Sequence, residues 1–100
     1  MMIMANRNRR IRVVILELLH TAYPGGMDTK SLWFAVDNLG YAMPIEHLYA
    51  HIKYLEEKGY VKQESRKGHG FAIDWVTLTA SGWDFIDGHI TDEKGIDTSI

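Results

Sequence analysis

Residues 44–79 read PIEHLYAHIKYLEEKGYVKQESRKGHGFAIDWVTLT, and a change of period inside this stretch decides the fold. Its first part is helical, because Ile45, Leu48, Ile52 and Leu55 recur at the spacing of one helix face. Pro44 suits the first turn of that helix, where its missing N–H leaves no bond unmade. Gly59 supplies the stop, and Tyr60 and Val61 open a strand directly after it. The pattern predicts strands over 60–64 and 71–78, joined by a flexible turn over 65–70. Phe71, Ile73 and Trp75 alternate with Ala72, Asp74 and Val76. Since Val76 and Leu78 are apolar too, either phase suits a core, and a bulge would accommodate both. Thr79 offers its hydroxyl as the N-cap of a short last helix carrying Trp83, Phe85 and Ile86.

Upstream, Ile11, Val14, Ile15, Leu18, Leu19 and Ala22 predict a helix from about Asn6. Pro24, Gly25 and Gly26 break the chain. Asp28 can cap a second helix, whose inner stripe is Leu32, Ala35, Val36 and Leu39, and Gly40 fits its left-handed stop. Tyr41, Ala42 and Met43 form a short turn to the next helix. The order is therefore three helices, a hairpin and a final helix. This is an α+β, mostly α, winged helix-turn-helix layout over 6–88, followed by a polar tail over 89–100 that is expected to be loose. No internal repeat or low-complexity segment interrupts it.

The composition allows one domain: 100 residues, 46% apolar and 11% aromatic, are enough for a real core. The absence of cysteine excludes disulfides, thiolate metal sites and cysteine nucleophiles, and suits a reducing cytoplasm. No apolar run approaches the roughly 20 residues of a membrane span. The opening Met1-Met2-Ile3-Met4 is too short for a signal-peptide core, and its arginines follow instead of preceding it. A soluble cytoplasmic protein with no membrane partner is expected. There is no glycine-rich phosphate loop and no activated nucleophile, so the expectation is a non-enzyme without cofactors. His47 and His51 stand four apart, a spacing zinc uses, but no third-ligand motif accompanies them, and no metal is expected.

The run Leu48-Tyr-Ala-His-Ile-Lys-Tyr-Leu-Glu-Glu-Lys-Gly-Tyr-Val61 resembles the recognition helix and following L-x-x-x-G-h-V signature of winged-helix regulators. The run Val76-Thr-Leu-Thr-Ala-Ser-Gly-Trp83 resembles the h-x-L-T-x-x-G segment that opens their last helix. More loosely, the whole resembles small winged-helix proteins of Mu-like prophages. The resemblance implies a DNA-binding transcriptional regulator of phage or prophage type. It also implies that residues 44–58 enter the major groove while the wing touches phosphate or the minor groove.

On the helix face opposite the stripe lie Glu46, Ala50, Lys53, Tyr54 and Glu57, with His47 at its edge. His47, Tyr49, Ala50 and Lys53 occupy the part that reaches base edges in such folds, and are the candidate readers. Glu46, Glu56 and Glu57 outnumber Lys53 and Lys58, so this helix departs from the usual basic pattern. Arg66, Lys67 and His69 are candidates for phosphate contact at the wing; the other reading is a charged hairpin tip that blunts edge pairing. Arg7, Arg9, Arg10 and Arg12 form the densest positive patch, either a phosphate-binding arm or a solvated helix start that opposes the helix dipole. The net charge is −2, yet residues 1–83 carry ten Lys/Arg against eight Asp/Glu, and the acidity sits in 84–100. Val13 and Leu16 fall outside the main stripe of the first helix, and Phe34 points away from that of the second. These three are the candidate interface of a homodimer; together with Tyr54 they are that of a protein partner if the domain is an interaction module without DNA binding.

Overall fold

The computed structural model describes residues 2–68, 70–88 and 96, with residues 2–5 described by backbone alone. Its elements are α1 (Met2–Ala22), β1 (Met27–Asp28), α2 (Thr29–Asn38), α3 (Ile45–Glu57), β2 (Val61–Gly68), β3 (Phe71–Leu78) and α4 (Ala80–Ile86). The strands form an antiparallel sheet in the order β1-β3-β2.

The core is built where the helix stripes meet the end of the hairpin. Ile11, Ile15 and Leu19 of α1, Leu32 and Val36 of α2, and Leu48, Ile52 and Leu55 of α3 are fully buried. Val76, Leu78 and Phe85 close the cluster from β3 and α4. Burying side chains of this size contributes roughly 1.5–3 kcal/mol each.

α1 packs against α2, α3, α4 and β3 at once. A helix covered on so many sides must be apolar beyond one stripe. This overturns the expectation that Val13 and Leu16 lie on an exposed face: both are core residues, 4% and 0% exposed. Leu39 departs in the opposite direction. It is the C-cap of α2, past the last turn that packs inward, and is 56% exposed. α1 also begins earlier than expected, at Met2, so its arginines lie inside the helix and do not form a free arm. Because the dipole acts mainly over the first turn, the cost expected for Arg7 to Arg12 largely disappears.

The local signals hold at the caps. Asp28 accepts from Ser31 N at the start of α2, and Thr79 accepts from Gly82 N at the start of α4. Pro44 is the N-cap of α3, one place outside the helix. Gly40 and Gly59 take positive φ at the two stops.

The two sequence motifs meet in space. Thr79 Oγ1 donates to Gly59 O at 2.6 Å, and Thr79 N to Tyr60 O at 3.0 Å. A Cβ on Gly82 would stand 2.2 Å from Tyr60 O, so only glycine lets α4 approach so closely. The end of α3 and the start of α4 are thereby stitched across the root of the hairpin.

That hairpin is longer than the sequence suggests. The β2–β3 ladder runs unbroken from Val61–Leu78 to Gly68–Phe71, with Gly70 in the turn just before β3. No bulge is needed, because Val76 and Leu78 set the inward phase while Trp75 faces the other way. β1 was not foreseen; it pairs Met27 with Val76 and Asp28 with Trp75. His69 and nearly all of the 89–100 tail lie outside the described residues. Ile96, the one tail residue described, is buried against the core.

Candidate nucleic-acid interface

α3 follows α2 after a short turn, and the turn is held from both sides. Trp33 Nε1 donates to Met43 O at 2.8 Å, and Arg7 Nη2 reaches from α1 to Ala42 O at 3.2 Å. The outer face of α3 then presents Glu46, His47, Ala50 and Lys53, all exposed. Tyr54 does not belong to that face. It is half-buried beneath Arg12, whose guanidinium lies 3.9 Å from the ring centroid, with the Lys58 ammonium 5.5 Å away.

Tyr49 is half-buried too, and its hydroxyl donates to the Asp74 carboxylate on β3. The bond to a carboxylate favours the protonated phenol and raises its pKa, with burial adding to the shift. Tyr49 thus ties α3 to the wing. Glu56 makes a second tie, accepting from Gln63 N at 2.9 Å and from Gln63 Nε2 at 3.1 Å. Two of the three acids on α3 therefore have structural uses: Glu56 anchors β2, and Glu46 sits in the first turn, where the helix dipole favours it.

The pleat separates the wing cations. Ser65 and Lys67 lie opposite Asp74 and Ala72, on the sheet face that bonds to α3 through Gln63 and Asp74. Glu64 and Arg66 lie opposite Trp75 and Ile73, on the outer face. There Arg66 stacks on Trp75 at 4.1 Å and pairs with Glu64 at 3.1 Å. Arg66 and Lys67 accordingly belong to strand β2 and not to a flexible tip, and only Lys67 shares the side of α3.

The N-terminal arginines are engaged with the protein. Arg9 donates to Asn6 at 2.7 Å, and the Arg7 guanidinium lies 5.7 Å from the Tyr41 ring centroid. Arg10 is half-buried on the same helix. Arg12 Nε donates to His51 Nδ1 at 3.2 Å, and burial lowers the Arg12 pKa. His51 is 7% exposed, and its pKa falls to about 4 through burial first and then the positive charge of Arg12. It is a neutral imidazole wedged between α1 and α3, and its Nδ1 is already occupied.

Sequence reading missed Asp74, Glu56 and His51. Asp74 had a signal, because the apolar pair Val76 and Leu78 sets the phase that turns Asp74 towards α3. The partners of Glu56 and His51 come from other elements and leave no local mark. Of the three interface candidates, Phe34 alone is on the surface, 59% exposed and beside Trp33.

No protein-family profile and no curated protein matches the sequence. Solved structures do match. A protein of Thermoplasma acidophilum, provisionally described as a transcriptional regulator, superposes with a TM-score of 0.64 and 24% identity, over 77% of this chain and 76% of its own. PadR of Bacillus subtilis, solved in complex with operator DNA, superposes with a TM-score of 0.60 and 16% identity over 90% of this chain. This chain spans 53% of the PadR chain. At such identities the likeness is one of fold, and the fold this chain shares with those regulators is the winged helix-turn-helix.

Proposed function

We propose that the protein is a non-enzymatic, DNA-binding transcriptional regulator that places α3 in the major groove. The supporting observation is the shared side of α3 and the wing. His47, Ala50 and Lys53 stand exposed on the helix, and Lys67 lies on the sheet face turned towards that helix. His47 and Lys53 can donate to base edges or phosphate, and Ala50 can rest against a thymine methyl. The likeness in fold to an operator-bound regulator favours the same reading. A homodimer would double a contact that carries few cations, and exposed Phe34 supports it. A phage or prophage origin draws no support from these neighbours, which come from a Bacillus and a Thermoplasma.

Fluorescence anisotropy with a mixed-sequence duplex, at low and then physiological salt, tests this reading. Binding that weakens steeply with salt is expected. No binding at low salt would overturn it. That result would favour the second reading, a protein-interaction module, for which Phe34 and Leu39 on α2 supply the exposed apolar surface.

A further inference from the structure

On one side of the wing the sheet ends early. β1 covers only Val76 and Trp75 of β3, so the edge over 71–74 is paired to β2 alone. Beyond β1 this edge borders a cleft of about 490 Å³, within the size range of small-molecule sites. Phe71 and Ile73 give it an apolar wall, and Phe71 is 59% exposed. Tyr49, Asp74, Thr29 and Lys30 supply its polar groups. Thr29 is buried, and its hydroxyl makes no hydrogen bond of good geometry among the described residues.

The charges of the cleft select the ligand. Asp28 and Asp74 border it against the single ammonium of Lys30. The Asp28 carboxylate is committed to the cap of α2. Asp74 is exposed and holds the Tyr49 hydroxyl, a neutral donor that a cation can displace or join. An apolar wall beside an accessible carboxylate suits a ring that carries a positive charge, and disfavours phosphate.

We propose that this cleft binds a small planar aromatic ammonium compound, with its ring against Phe71 and Ile73 and its charge on Asp74. The site adjoins the DNA face of the account, sharing Tyr49 of α3 and the Asp74 side of the sheet with it, but ligand binding there does not depend on DNA binding. Its occupant would nonetheless bear on the Tyr49–Asp74 bond that joins α3 to the wing.

The test is an NMR titration of the ¹⁵N-labelled full chain with tryptamine, and with indole-3-acetate as a similar ring of opposite charge. Tryptamine is expected to shift Trp75 and residues 71–74 saturably, leaving the indole signals of Trp33 and Trp83 in place. Indole-3-acetate should bind at least about fivefold more weakly, and Asp74→Asn should weaken tryptamine by about the same factor. Tyr49→Phe, which frees the carboxylate, should leave tryptamine binding intact or tighten it. The proposal is overturned if millimolar tryptamine gives no saturable shift, if the shifts fall elsewhere, or if the acetate or Asp74→Asn binds equally well. Weaker tryptamine binding by a folded Tyr49→Phe protein would also overturn it.

Discussion

His51 shows how one side chain can make the fold sensitive to acid. Its folded pKa of about 4 lies below the ordinary histidine value of 6.5, so the unfolded chain takes up the proton first. The contribution of His51 to stability is thus intact above about pH 6.5 and is lost as the pH falls from there towards 4. The loss is on the order of 1–3 kcal/mol for a shift of this size. Urea denaturation at pH 7 and pH 4.5 should show a smaller fall in stability for His51→Gln than for the parent; an equal fall would contradict the assignment. The wing cations give a second prediction at this scale. Lys67→Ala should lower the salt slope of DNA binding by about one, as expected for one lost phosphate contact. Arg66→Ala should leave the slope nearly unchanged, since Arg66 is held by Trp75 and Glu64 on the other face. Equal effects in anisotropy titrations would show that the pleat does not sort them.

Between elements, the decisive contacts are the close approaches that a single chain segment cannot advertise. Gly82→Ala would drive a methyl into Tyr60 O and separate α4 from the strand root, costing about 2–4 kcal/mol. Calorimetry should show a fall in Tm of roughly 8 °C or more, and an unchanged Tm would refute the close packing. The helices, the caps at Asp28 and Thr79 and the stop at Gly59 were legible because each is written in adjacent residues. The wing boundary is not legible in the sequence because Arg66, Lys67 and Gly68 carry turn composition, while the register from Gly68–Phe71 onward is set by pairing across the hairpin. β1 escaped notice because two residues cannot show a period; its place depends on Gly26, where a Cβ would stand 2.4 Å from Val76 O. Periodicity alone puts Val13 and Leu16 at the surface, because it shows a single buried stripe, whereas four elements cover α1. For the candidate site, sequence periodicity gave the exposed places of His47, Ala50 and Lys53, but not the Tyr49–Asp74 and Glu56–Gln63 ties that orient the wing.

For the whole molecule, the charge pattern bears on how tightly DNA can be held. A net charge of −2, with the described arginines of α1 occupied by protein partners, leaves few cations on the α3 side. A single domain should therefore bind weakly, and two domains joined on one duplex should bind far better. Sedimentation analysis is expected to give a particle of twice the 11.5 kDa chain mass, and Phe34→Glu should return it to a monomer. A monomeric parent protein would remove the dimer from the account while leaving the DNA face untouched. The most direct test of the central claim is an NMR map of a mixed-sequence duplex on the ¹⁵N-labelled protein at low salt. The account predicts shifts and broadening at His47, Ala50, Lys53 and Lys67, fading as salt is added. Perturbation confined to the surface around Phe34 and Leu39, or none at all, would contradict it.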